Sequence, residues 1–155
     1  MHYRLYMSAD FDALYAIEEA SFQPPFRFPR SYMRQLVQDS ETATWIAEQD
    51  AVMAGFAIAE WGDGKEGPIA YIQTIEVLPA LRSQGAGSEL LNRLEASARA
   101  SGARVIWLHV DAENACAIRL YERHGYFCEG REENYYPQGR EALIYAKSIS
   151  LTTNH

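Results

Sequence analysis

Cysteine is scarce in this chain. Cys116 and Cys128 are the only two in 155 residues, too few for a disulfide framework and too far apart for a CxxC pair. Long hydrophobic runs are missing as well: the longest nearly apolar stretch, Ala51–Ala59, falls well short of the about 20 residues that cross a bilayer. Met1–Asp10 carries Arg4 and Asp10 and has no apolar core between a basic start and a cleavage site, so no export signal is read. Positive charge is in deficit, with 14 Lys and Arg against 21 Asp and Glu and a formal charge of −7. That sign excludes binding to nucleic acid through its phosphates and is compatible with a cationic substrate such as an amine, or with solubility alone. No Asp/His/Cys cluster has metal-ligand spacing, so no metal is expected. A P-loop needs Gly-Lys-Ser/Thr and a nucleophile elbow needs Gly-x-Ser-x-Gly; neither occurs. A cytoplasmic domain without membrane or nucleic-acid partners remains.

What is present suits one α/β domain. The chain is 48% hydrophobic, and its length lets it bury about two thirds of its unfolded surface. Residues 1–150 are read as a single domain and 151–155 as a frayed tail. Tyr3–Met7 reads as a strand with Tyr3, Leu5 and Met7 on one face. Ser8 is a candidate cap for a helix carrying Phe11, Leu14, Tyr15 and Ile17. The proline-rich loop Phe22–Arg30 follows, then a short helix capped by Ser31 with Met33, Leu36 and Val37. Thr44–Glu48 and Val52–Trp61 read as a hairpin turning at Gln49-Asp50, Gly62–Pro68 as a loop, and Ile69–Leu78 as a long strand.

A helix opened by Gly85-Ala86-Gly87 then carries Leu90, Leu91 and Leu94, with Gly102 suited to its end. Val105–Val110 reads as a central strand covered on both faces. Asn114 can cap a helix reaching His124, and Tyr126–Cys128 and Ala142–Ser148 are the last strands. The order β-αα-βββ-α-β-α-β-β makes a mixed α/β layer rather than an alternating parallel fold.

The sharpest local feature is the strand–loop–helix from Ile75 to Ser88. A helix N-terminus offers unpaired N–H groups and a partial positive charge, Gly85 and Gly87 allow close backbone approach, and Arg82 adds a charged fork. Together these suit a phosphate; an ordinary Gly-rich turn entering a helix is the competing reading. A dinucleotide fingerprint would need a third glycine where Leu90 stands.

Two motifs carry a family resemblance. Arg82-Ser-Gln-Gly85-Ala-Gly87 resembles the Arg/Gln-x-x-Gly-x-Gly/Ala segment of the GCN5-related N-acetyltransferases (GNAT), and Asn114–Phe127 resembles their second motif. Asn134-Tyr-Tyr-Pro137 followed by Ala142-Leu-Ile resembles the tail of Nα-acetyltransferases, including the ribosomal-protein alanine type. The resemblance implies the GNAT fold, a mostly antiparallel mixed sheet with helices on both faces, and acetyl-CoA as cosubstrate.

It also implies roles. The main chain of Ile75, Glu76 and Val77 would receive the pantetheine arm; Arg82, Ser83, Gln84, Gly85, Ala86, Gly87 and Ser88 would hold the pyrophosphate; Asn114 would touch the cofactor. The Tyr121 hydroxyl would lie beside the thioester sulfur as general acid. Phe22, Phe28 and Pro29 on one side, with Tyr135 and Tyr136 on the other, would flank an acceptor groove, Phe22 competing with Phe28-Pro29 for one family position.

His109 departs from the alanine-type enzymes, which have Glu there, and resembles eukaryotic Nα-acetyltransferases acting on Met-starting N-termini, which also have a Tyr matching Tyr71. A polar ring in Trp107-Leu-His-Val110 is costly unless paired, and His is a competent base near neutrality. The alternatives are a core His bonded to a carbonyl and a core Tyr71, or a base relay in which the two share a water. His124 reads as a cationic helix cap, Cys116 as a small packing residue, and Glu129, Glu132 and Glu133 as a solvated face. The implied activity is direct transfer of acetyl to an amine, preferably a peptide or protein N-terminus, with a small amine or a non-catalytic acyl-CoA-binding module as alternatives. Monomer and homodimer stay open.

Overall fold

A computed structural model describes residues 1–65 and 67–149; the tail at 151–155 lies outside the described residues. Seven strands form one sheet in the order β1-β2-β3-β4-β5-β7-β6. They are β1 (His2–Leu5), β2 (Thr42–Gln49), β3 (Val52–Gly64), β4 (Gly67–Val77), β5 (Val105–Asp111), β6 (Phe127–Tyr136) and β7 (Arg140–Ser148). The helices are α1 (Phe11–Ser21), α2 (Arg30–Gln38), α3 (Ala86–Ala100) and α4 (Ala115–Arg123). Only β4 and β5 run parallel; every other pair is antiparallel. The expected element order and the mixed, mostly antiparallel sheet are both present. Among the described residues no helix is long and apolar enough to cross a membrane.

Alternation along β2 and β3 feeds two cores. Ala47, Ala57 and Ala59 meet Leu90, Leu91 and Leu94 of α3, whereas Ile46, Phe56 and Ile58 meet Phe11, Leu14 and Ile17 of α1 and Met33 and Leu36 of α2. The small residues lie under the helix that packs closest, and each fully buried leucine contributes about 1.5–3 kcal/mol over leaving it in water.

Several boundaries differ from the sequence reading. The first strand stops at Leu5, and both Leu5 and Met7 are exposed, because β1 is an edge strand that buries only part of Tyr3. α1 follows a 3-10 turn over Ser8–Asp10, and the Asp10 carboxylate, rather than Ser8, accepts the Met7 N–H. α2 starts at Arg30 with Pro29 in the capping position instead of Ser31. The first hairpin turns at Asp50-Ala51, both with positive φ, the geometry whose twist matches paired strands. Gly62 and Gly64 extend β3 and Gly67 opens β4, so most of the expected loop is ladder. β6 runs ten residues where three were read.

One irregularity shapes the centre. Ile58 pairs with Thr74 and Ala59 with Ile72, leaving Gln73 as an extra residue in β4. A bulge of this kind bends its strand. Pairing between β4 and β5 ends at Ile72 and Leu108, just before the bulge. The two parallel strands therefore splay, and Gln73–Val77 keep a ladder to β3 only.

Three buried carboxylates are treated differently. Glu95 accepts from the Tyr126 hydroxyl at 2.7 Å and from Lys147 Nζ at 3.1 Å. Glu18 of α1 and Glu76 of β4 instead influence each other, each with one oxygen, Oε1, without a hydrogen-bond partner. A proton on one carboxyl would let it donate to the other. Burial first, then the Glu18 carboxyl, holds Glu76 well above its ordinary 4.5. Above pH 4.5 the unfolded chain binds fewer protons here than the folded protein, so this site's contribution to stability declines as pH rises toward the folded-state pKa. Glu76→Gln retains an acceptor for Thr74 and a donor for Glu18 without titrating. Thermal unfolding from pH 5 to 8 should show a shallower decline than wild type and a gain on the order of 1 kcal/mol at the upper end. Parallel curves would show that no shared proton exists.

Candidate active site

The splay leaves an open main-chain edge on one side of the sheet and a groove on the other. Ile75, Glu76 and Val77 sit on that edge, bonded to β3 through Ala57, Phe56 and Gly55 and free of β5. An extended arm with amide groups fits such an edge as an added strand would. Beyond Val77, the turn into α3 has Ser83 at φ 70° and Gly85 at φ 82°, with Gly85 capping the helix. A turn that alternates left- and right-handed residues at a helix N-terminus gathers N–H groups into a concavity for anions. Gly85 is required by its φ, since a Cβ there would meet nothing within 4 Å, whereas one on Gly87 would touch Leu120 of α4 at 3.5 Å.

The surrounding side chains fix this turn. Arg82 Nε donates to the Val77 carbonyl at 3.0 Å, tying the turn to the end of β4. Ser88 Oγ lies 3.0 Å from His124 Nε2, so α3 is pinned to the end of α4. His124 is the C-cap residue of α4 as expected, but burial holds it below its ordinary pKa and disfavours the cationic form. The Asn114 Oδ1 accepts from Ala117 N–H at 3.1 Å, capping α4 as expected and leaving its amide donors free. Gln84 lies in the same turn, and Ala86 is buried beneath it. Cys116 is exposed rather than packed. Tyr121 of α4 is 7% exposed and meets Tyr126 edge-on at 5.6 Å. Burial, aided by Tyr136, pushes its phenol well above the ordinary range, so the hydroxyl keeps its proton.

The groove on the opposite side, about 770 Å³, is walled by Phe28, Pro29 and Tyr32 on one flank and Tyr135 and Tyr136 on the other, with Tyr71, Trp107 and His109 among its lining. β5 is thus covered on one face only: Ile106, Leu108 and Val110 are buried, while Trp107 and His109 face the groove. That corrects the reading of a strand packed on both sides. α1 holds the loop from both of Phe28's main-chain groups: Tyr15 donates to its carbonyl at 2.7 Å and Glu18 accepts its N–H at 2.9 Å. Phe22 lies outside the lining.

At the base of the groove, Tyr71 Oη is 2.8 Å from His109 Nδ1, a direct hydrogen bond with no water between. Neither ring nitrogen of His109 bonds a main-chain carbonyl, since Nε2 lies 3.0 Å from Glu132 Oε1. Tyr135 stacks flat on the imidazole at 4.0 Å and 11°. Between the pairs Glu132–Ala142 and Tyr136–Arg140, three residues of β6 span one of β7, and this bulge carries Tyr135 over the ring. Burial first, then Tyr135, pushes the Tyr71 phenol far above the ordinary range.

The sequence reading missed Trp107, Tyr32, Gln73 and Glu60. The last three form a chain along the wall, Tyr32 donating to Gln73 at 3.1 Å and Gln73 to Glu60 at 2.6 Å. Alternation of rings with aliphatic residues along Trp107–Val110 was the available signal for Trp107; nothing local marked the other three.

A splayed parallel pair, a glycine turn at a helix N-terminus and an aromatic groove behind it define an acyl-CoA-dependent transferase of the GNAT type. The chain belongs to the acetyltransferase (GNAT) family, whose model matches residues 11–126. It is 39% identical over 106 residues to the ribosomal protein bS18-alanine N-acetyltransferase of Escherichia coli, covering 66% of this chain and 69% of that protein. The crystal structure of the ribosomal-protein-S18-alanine N-acetyltransferase from Escherichia coli superposes with a TM-score of 0.84 at 29% identity over 99% of this chain and 97% of that one. Arabidopsis thaliana NAA60 in complex with acetyl-CoA shares the fold, with a TM-score of 0.83 at 24% identity over 96% and 98% of the two chains. The protein is an acetyl-CoA-dependent N-acetyltransferase, as the motifs implied.

Proposed function

We propose that the acceptor is the α-amine of a peptide or protein N-terminus. The observation that carries this reading is the groove itself: it is long, open and walled by Phe28-Pro29 and Tyr135-Tyr136, and it leads to the Tyr71–His109 pair. Acetyl-CoA supplies an activated acetyl thioester. Ile75, Glu76 and Val77 bind its arm through the main chain, and Arg82, Ser83, Gln84, Gly85, Ala86, Gly87 and Ser88 cradle the pyrophosphate, with Asn114 beside them. Tyr71 and His109 take the proton from the amine, which attacks the thioester carbonyl directly in a ternary complex. Tyr121 donates to the departing sulfur.

Acid–base arithmetic supports the α-amine. Its reference pKa of about 7.7–8.0 lies well below about 10.4 for Lys, so removing its proton near neutrality costs roughly 3 kcal/mol less. A His relay suits that task. The enzyme is read as cytoplasmic, with neither nucleic acid nor membrane as partner. The test is incubation with acetyl-CoA and two panels, free-N-terminus peptides and small amines (polyamines, aminoglycosides, amino acids), followed by mass spectrometry. Acetyl on peptide α-amines is the expected product. Acetylated small amines with unmodified peptides would overturn the reading.

A further inference from the structure

We infer that Glu132 is a positioning residue for the transfer: it holds His109 in the tautomer whose Nδ1 takes the proton from Tyr71. The inference rests on the Tyr71–His109 relay proposed above. A carboxylate oxygen only accepts hydrogen bonds, so the 3.0 Å contact at Nε2 puts the ring proton on Nε2. A neutral imidazole then has its lone pair on Nδ1, and the Tyr71 hydroxyl at 2.8 Å donates to it. Reversing either assignment leaves two acceptors facing each other.

The tautomer sets the direction of the proton. With its own hydrogen aimed at Nδ1, Tyr71 turns its oxygen lone pairs toward the groove, where the acceptor nitrogen arrives. An N–H bond of the amine breaks as an O–H bond forms on Tyr71, and the former Tyr71 O–H breaks as N–H forms at Nδ1. His109 gains one positive charge opposite the carboxylate of Glu132, and no group changes oxidation state. Tyr71 cannot stand as a phenolate base, because burial keeps its phenol protonated, so it has to pass a proton on. The logic is that of a nucleophile–His–carboxylate triad, in which the acid orients the ring and balances its charge.

Placement separates this role from acceptor binding. Glu132 lies outside the groove lining and, with its side chain 52% exposed, reaches the 9%-exposed His109 from the rim. Titratable groups facing the groove besides His109 are Arg27 of the loop, Tyr32 of α2, Glu60 and Asp63 of β3, Tyr71 of β4, and Tyr135 and Tyr136 of β6. Further along β5, Asp111 is engaged by Arg140. Among the described residues Glu132 alone bonds Nε2.

Glu132→Ala and Glu132→Gln test the role, and a half-exposed side chain makes both variants compatible with folding. Glu132→Ala should lower kcat/KM about tenfold, and Glu132→Gln less, because its amide oxygen still orients the ring without charge. In both, acetyl-CoA affinity should stay as it was. Nitrogen-15 NMR of the imidazole should report Nε2–H in the wild type and a tautomer mixture in Glu132→Ala. If both variants keep the wild-type rate and tautomer while His109→Gln is impaired, the Glu132 inference fails and the relay stands. If His109→Gln is also unimpaired, the relay fails and the inference with it.

Discussion

Tyr121→Phe should lower kcat by roughly 10²–10³-fold, the range for a lost preorganised donor, while acetyl-CoA binds with near-native affinity. The substitution removes one oxygen from a ring packed edge-on against Tyr126 and otherwise enclosed, so the fold has little to lose. Burial, which keeps the phenol protonated at assay pH, also makes it a reluctant donor. A thiolate with a pKa near 8.5 is a weaker base than the phenolate, so complete transfer runs uphill. In the proposed mechanism the hydroxyl would therefore work chiefly by hydrogen bonding to the charge growing on sulfur, a preorganised contribution of about 10²–10³. Single-turnover measurement of thiol release isolates the chemical step from product release. Wild-type single-turnover rates in the Phe variant would reduce Tyr121 to a packing residue.

Much of the local structure around the candidate cofactor site was legible because its signals are local. Glycine at 85 answers a single left-handed dihedral, Asn114 caps the helix it precedes, and the strand, turn and helix between them follow each other in sequence. The groove is built from residues far apart in the chain, and there the reading thinned. Phe28 faces the groove because Tyr15 and Glu18 grip its main chain, a contact between a helix and a loop that periodicity does not express. Glu132 looked like one of three solvated glutamates, since the extra residue Glu129, between the pairs Cys128–Tyr145 and Gly130–Ile144, shifts which β6 side chains share a face with His109.

Errors at element ends have a similar origin. Gly62, Gly64 and Gly67 carry strong turn propensity, yet β3 and β4 extend through them because a ladder already aligned from Gly55 to Asp63 adds pairs cheaply. Val105–Val110 is apolar in composition on both faces, but the helix pair α1–α2 covers β2 and β3 and stops short of β5, leaving Trp107 and His109 to line the groove. Composition reports what a face could bury; the reach of the neighbouring helices determines what it does bury.

His109→Gln should reduce kcat/KM by roughly 10²-fold or more and abolish whatever part of the acid limb His109 owns. Gln keeps a polar side chain that can both donate and accept, so bonds to Tyr71 and Glu132 are replaceable while titration is lost. The geometry sharpens this test, because Tyr71 cannot substitute as base: its phenol is held protonated by burial, and without Nδ1 it has no place to send its own hydrogen. Peptide amines titrate at about pH 7.7–8.0 themselves, so both proteins must be compared on one peptide, and the limb that survives in the variant belongs to that amine. A second peptide with a different N-terminal pKa should move the surviving limb and leave the His109 limb of the wild type in place. Unchanged rate and limb in His109→Gln would mean that the amine loses its proton to solvent before it binds. The hydrogen-bonded chain from Tyr71 through His109 to Glu132 would then serve only to hold Tyr135 over the groove floor.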